Sequence, residues 1–336
     1  MNTIPLNIEN EDIVFADFTN RESLELIVIG KSGNIFLFDC QTQCKSLVSK
    51  LSFVSYKLNL QLYSLNDYVC LVQKNGTEGM VFNLSDLNYQ KNLKRGDYCA
   101  HVSLFPIAFF SKGNQTFLIH GTDWNRLDIT SLKTDELLTN RIVEYETNSN
   151  YLDYFHASLL IAPDSKSFIS KGWVWQPYEV VTFYLIENFL REFELSNIQI
   201  EFEETSGYNW ERPICWIDSK NLAVSYNKME SGEIKGDIPS EIIFVDVLEN
   251  KIINRIEFNG FSLTDENEVG GELFFDSERK HFIGLNKQTG LLITDINGKE
   301  ISADKSLTSH NYSAKHKLIY RIDCKNQLAE IRQIYN

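Results

Sequence analysis

No stretch of this sequence is apolar for long enough to cross a bilayer. The densest, LFPIAFF at 104–110, falls far short of the ~20 residues that a spanning helix needs. The first residues, MNTIPLNIENED, hold neither a basic n-region nor an apolar h-region, so no secretory signal is expected. Basic side chains are outnumbered, 32 against 46 acidic, for a net charge of −14. That deficit argues against binding to nucleic acid, where Lys and Arg must neutralise phosphates, and against docking on an anionic membrane. The same acidity serves solubility. Six cysteines (Cys40, Cys44, Cys70, Cys99, Cys215 and Cys324) lie in strand-like segments without metal-type pairing. They read as reduced thiols of a cytoplasmic protein. No HxH, HExxH, G-x-S-x-G, P-loop or G-x-G-x-x-G is present, so neither a metal nor a cofactor is expected.

What is present is repetition. Two short apolar runs flank a tight polar turn seven times: LELIVIGKSGNIFLFD (24–39), YVCLVQKNGTEGMVFN (68–83), TFLIHGTDWNRLD (116–128), SFISKGWVWQPYEVVTFY (167–184), LAVSYN…EIIFVD (222–246), FIGLNKQTGLLITD (282–295) and LIYRIDCKNQLAEIR (318–332). Units that recur at about 35–60 residues and contain only strand-like segments indicate a β-propeller. IFLFD, EIIFVD and LLITD alternate with the period of a strand. The second run closes on Asp39, Asp128, Asp246 and Asp295, each able to accept N–H groups of the next turn. A third run precedes each pair across a tight turn, as in LLIAPDSKSF and LFFDSERKHF. A fourth follows most of them, as in KSLVSKL (45–51), ELLTNRIVEY (136–145), NFLREFEL (188–195) and KIINRIEF (251–258).

Four strands in each of seven units predict an all-β, seven-bladed β-propeller of four-stranded antiparallel blades, forming one domain over 1–336. The blades fall at about 9–52, 53–97, 98–146, 147–196, 197–258, 259–304 and 305–336 plus 1–8. The last unit shows only three strands, and TIPLNI (3–8) is free to supply the fourth and cover the open edge. Over its whole length the chain resembles WD40-like propellers, although no repeat carries the Gly-His…Trp-Asp signature. HGTDWNRLD, LDYFHASLLIAPDSKSF and GWVW also resemble an uncharacterised group of bacterial WD40-like proteins. The resemblance implies a fold and brings no activity with it.

With blade strands lettered a to d in chain order, the a–b and c–d turns share one end and the b–c loops and d–a crossovers the other. The short turns are a–b and c–d. The insertions at 147–156, 196–213, 259–271, 227–240, 121–125 and 172–178 are all b–c or d–a, which makes that end the expected binding surface. All five tryptophans fall in blades 3 to 5. Asp123, Trp124, Arg126, Trp173, Trp175, Tyr178, Trp210 and Arg212 form the expected recognition cluster for a protein or small-molecule ligand, since aromatics with an Arg and a carboxylate make hot spots. Trp173 and Trp175 can equally alternate in and out of a sheet, and Trp216 reads as core. Asp153 precedes His156 by three residues, and with Asp123 these offer the makings of a hydrolase or lyase site at the channel mouth. A structural hydrogen bond is the plainer role for His156. The acidic runs EFEE (201–204) and DENE (265–268) read as solvated loops, and RGD at 95–97 as a chance tripeptide.

Overall fold

The computed structural model describes residues 2–53, 59–139, 153–175, 178–192, 198–200, 211–227, 240–263 and 269–335. It is a seven-bladed β-propeller of four-stranded antiparallel sheets. Blades 1 and 2 run from Ile13–Phe18 to Lys45–Lys50 and from Leu60–Leu65 to Gln90–Lys94. Blade 3 is Ile107–Lys112, Gln115–Asp123, Arg126–Ser131 and Glu136–Leu137; blade 4 is Phe155–Ile161, Ser167–Val174, Tyr178–Leu185 and Ile198–Gln199. Blade 5 is Ile214–Trp216, Asn221–Asn227, Ser240–Asp246 and Lys251–Glu257; blade 6 is Glu272–Asp276, His281–Asn286, Gly290–Asp295 and Glu300–Asp304. Blade 7 takes Asn311–Ser313, Leu318–Asp323 and Leu328–Gln333 from the end of the chain and Asn2–Pro5 from its start.

That last pairing is antiparallel, with Asn2 opposite Ile331 and Pro5 opposite Leu328, as the TIPLNI reading requires. The junction is secured by Gln327, whose side-chain oxygen accepts Ile8 N–H at 2.8 Å and whose amide donates to Glu11 O at 2.9 Å. The strand-ending carboxylates behave as turn caps. Asp39 accepts the N–H groups of Gln41 and Thr42, and Asp246 those of Leu248 and Glu249. Asp295 accepts those of Asn297 and Lys299, and Asn83 does the same for Ser85 and Asp86. Because these bonds favour the ionised form, they hold Asp39 and Asp246 below the usual carboxylate range, the Thr42 and Glu249 amides contributing most.

By its contacts the chain divides into two compact units, 1–142 with 311–336 (blades 1, 2, 3 and 7) and 143–310 (blades 4, 5 and 6). In each, apolar side chains fill the space between successive blades. Leu26, Val28 and Phe38 of blade 1 meet Leu318, Tyr320 and Ile331 of blade 7, and Ile169, Val181 and Phe183 of blade 4 meet Leu222, Val224 and Ile243 of blade 5. Middle strands are covered on both faces, which is why Leu26–Ile29 of the first blade is a continuous apolar run and is wholly buried.

One outer-strand expectation fails: NFLREFEL (188–195) is not the outer strand of blade 4, because Ile186–Glu192 forms a short helix, α1, and the outer strand is Ile198–Gln199. Ile186 and Phe189, one helical turn apart, are both buried, and Phe189 packs edge-on against Phe168 and Tyr184. A strand could not place both on one face. No helix among the described residues is long and apolar enough to cross a membrane.

Candidate functional site

In the first unit the candidate residues gather at the b–c tip of blade 3. GTDWN is not an insertion. The second strand runs on to Asp123 through a bulge at Gly121–Asp123, and only Trp124 and Asn125 separate it from Arg126. Asp123 accepts the Trp124 N–H at 2.8 Å, fixing the tip. The half-buried Trp124 indole meets the Tyr98 ring edge-to-face, with centroids 5.4 Å apart, and Tyr98 is 50% exposed. Tyr98 belongs to the d–a crossover from blade 2, so the two loop classes of this end meet in one aromatic pair.

A buried arginine holds that crossover in shape. Arg95 donates to four backbone carbonyls: Gly76 at 2.7 Å, Leu104 at 2.8 Å, Ser103 at 2.7 Å and Ala100 at 3.1 Å. Its guanidinium also lies 5.0 Å from the centre of the Phe105 ring. Burial lowers its pKa to about 10, which still leaves it charged at neutral pH. The RGD tripeptide is therefore a structural element. Arg95 is enclosed and Gly96 backs directly onto the Asp123 carboxylate, where any side chain would collide.

Arg126 is committed to its own blade. Its Nε lies 2.7 Å from Asp128 Oδ2, and Asp128 also accepts the hydroxyls of Thr122 at 2.5 Å and Thr139 at 2.7 Å. Contrary to the sequence expectation, Asp128 does not close its strand: Arg126–Ser131 runs three residues beyond it, and the buried Asp128 carboxylate serves this network within the blade. Neighbouring His120 shares a 3.0 Å hydrogen bond with Thr130, and burial lowers its pKa to about 4, so it is neutral.

The second unit carries the remaining candidates. Trp173 is 2% exposed and stacks on Phe155 with centroids 3.7 Å apart, so it is a packing residue. Trp175, two residues on, sits at the hairpin tip, 48% exposed and perpendicular to both rings. Arg212 is buried. It grips the wholly enclosed Glu179 carboxylate at 2.9 Å and 3.0 Å and donates to Ser225 O at 2.8 Å. Beside it, buried Lys171 donates to Arg212 O at 2.8 Å, and desolvation lowers its pKa to about 8. Trp216 packs at the same blade boundary and donates to Leu160 O at 3.1 Å. Tyr178 lies on the third strand of blade 4. Trp210 and the runs EFEE and DENE lie outside the described residues.

Of the alternative catalytic residues, Asp123 lies in the first unit, and Asp153 and His156 in the second have different surroundings. His156 is 1% exposed, and its Nδ1 shares a 2.9 Å hydrogen bond with Ser170 Oγ, which is itself fully enclosed. Tyr154 donates to Ser170 O at 2.8 Å. Asp153 is exposed, and no hydrogen bond joins it to His156. No group of three His, Cys, Asp or Glu side chains able to hold a metal ion occurs among the described residues.

Sequence reading missed Tyr98, Arg95, Lys171 and Glu179, all contributing to these two arrangements. Only the tight placement of Arg95 and Tyr98 about RGD offered a signal.

Searches against protein-family models and against curated proteins give no match. Among solved structures, a chain in the crystal structure of a mitotic checkpoint complex is similar over 100% of this chain and 94% of its own, with 10% identity and a TM-score of 0.56. The Pan2 WD40 domain of Neurospora crassa is similar over 98% and 93%, with 9% identity and a TM-score of 0.56. Identities this low establish architecture alone: the fold is a WD40-like seven-bladed β-propeller.

Proposed function

We propose that this protein is a non-catalytic scaffold that binds a protein partner through the b–c/d–a end of its blades. The observation that carries this reading is the Tyr98–Trp124 pair, a part-exposed aromatic platform on a crossover that Arg95 fixes in advance. Rigid aromatics on a preorganised loop lose little entropy on binding, which is what a recognition hot spot requires. The enclosure of His156 and Ser170 favours this reading over a hydrolase or lyase. The structural neighbours, one of them from a multiprotein complex, also support it.

The test is the double variant Tyr98→Ala/Trp124→Ala, with Leu87→Ala as control. Leu87 is exposed and lies in the c–d turn of blade 2, at the other end. All proteins are first matched for circular dichroism and melting temperature. Partners cross-linked by the wild type from its own cell extract should fall at least tenfold with the double variant and persist with the control. Equal recovery by the double variant would sink the assignment, and recovery of only a small molecule would replace the protein partner.

A further inference from the structure

Residues 2–12 are tied to blades 7 and 1 in two unlike ways. The part that enters blade 7 is held firmly. Strand Asn2–Pro5 pairs along Leu328–Gln333, and Leu6 and Ile8 are buried among Leu26, Phe38, Leu318 and Ile331. Gln327 receives the backbone of both, Leu6 N–H on its carbonyl and Ile8 N–H on its side-chain oxygen, each at 2.8 Å. The part that follows, Glu9–Asp12, is the d–a crossover to blade 1, and its ties lie at the surface. Lys45 meets Glu9 at 3.4 Å and Lys31 meets Asp12 at 3.3 Å, with the two carboxylates 84% and 79% exposed. Ion pairs so exposed contribute little. Ser32 and Asn34 donate to the Glu11 carboxylate at the edge of a surface hollow, where water can take their place. The connection is also bent against preference. Asn7 and Asn10 have φ of 46° and 59°, in the left-handed region that residues other than glycine disfavour.

A short, strained connection beside a firmly seated strand favours exchange of that strand between copies. Every seated contact is remade in the partner, and only the connection changes its path. We propose that residues 2–8 exchange between two copies of this chain, each copy's Asn2–Pro5 completing blade 7 of the other and its Leu6 and Ile8 filling the other's core. The fold itself identifies the occupant, because the groove beside Leu328–Gln333 is already shaped to this segment. Drawn out, Glu9–Asp12 reaches ~13 Å, so the two copies are joined at the d–a end of their blades. A strand on a short tether competes at an effective concentration in the millimolar range, and exchange becomes measurable at about 1 mM protein.

Disulfide trapping tests it. Thr3 lies opposite Glu330, and directly opposed residues stand close enough for a disulfide. A Thr3→Cys copy and a Glu330→Cys copy of the full chain are mixed at about 1 mM, left to equilibrate and oxidised. A linkage between positions 3 and 330, mapped by peptide mass spectrometry, should join about a tenth or more of the chains and vanish at about 1 μM. Light scattering should find the same fraction as dimer. Asn10→Pro cannot take the left-handed conformation and should raise that fraction about threefold, whereas Asn10→Gly takes it without strain and should lower it about as much. Should Asn10→Pro fail to fold, the Gly variant and the concentration dependence still decide. Absence of the linkage at every concentration, while Thr3→Cys/Glu330→Cys closes within its own chain, would overturn the proposal. A yield indifferent to residue 10 would do the same, because it marks chance collision. So would dimers joined only through the exposed Cys44 or across another surface.

Discussion

Replacing Arg95 with Met keeps the buried stem and removes the guanidinium, so the carbonyls of Gly76, Ala100, Ser103 and Leu104 lose their shared donor. A buried acceptor left unsatisfied costs about 1–3 kcal/mol, which gives roughly 4–12 kcal/mol if all four stay dry. Against this, a charged group no longer has to be desolvated, and that returns several kcal/mol. The net expectation is a loss of about 3–5 kcal/mol, concentrated in residues 96–105. Arg95→Lys should recover little of it, since a single ammonium cannot reach four carbonyls arranged around a planar fork. Native-state hydrogen exchange reads the effect locally. The amides of Ala100, Val102 and Ser103 donate to Asp97 O and Cys99 O within this loop. A local loss of 3 kcal/mol should cut their protection by about two orders of magnitude. Wild-type protection at these amides in Arg95→Met, with an unchanged urea midpoint, would refute the argument that this arginine preforms the Tyr98 platform.

Two further outcomes follow from the second unit. Lys171 has its pKa lowered to about 8 from 10.5, so between those values the unfolded chain holds more protons and stability rises with pH. The burial penalty is fully present below pH 8, and the stability advantage of Lys171→Met should therefore shrink by about 2 kcal/mol between pH 7 and 10 in paired denaturation curves. A constant difference would refute it. Gly172→Ala should cost at least about 3 kcal/mol or abolish soluble expression, because a Cβ there would strike Phe155 O and come within 2.7 Å of the Tyr154 ring. A melting temperature within two degrees of wild type, about 1 kcal/mol or less, would show that the strand shifts to make room.

The architecture was legible because a propeller repeats one period-two pattern and each blade needs the same turns. Asp39, Asp246 and Asp295 announced their turns, and TIPLNI had an edge to fill. Local spacing misled at 186–192, where Ile186 and Phe189 fit a strand count but pack at helical separation. The candidate site was legible only as a neighbourhood. Sequence placed Trp173, Trp175, Arg126 and Arg212 at one end of the blades, yet which of them faces outward depends on partners far along the chain. Glu179 lies 33 positions from Arg212, and Phe155 lies across a strand from Trp173. Composition does not encode such pairings. Nor could it show that Arg95, in a tripeptide without helical or strand pattern, serves four carbonyls.

The seam in blade 7 also sets an order of events during synthesis. Asn2–Pro5 leaves the ribosome well before its partner strand Leu328–Gln333. At about 5–20 residues per second the two are separated by tens of seconds. Blades 4 to 6 form an unbroken segment of sequence and can consolidate within that interval, whereas blade 7 must wait for Leu328–Gln333. Closing a loop of this length carries an entropic cost of roughly 5 kcal/mol, met only once the seam pairs. Asn2–Pro5 therefore stays without its partner until Leu328–Gln333 has been made, and blade 7 is complete only when that one ladder forms.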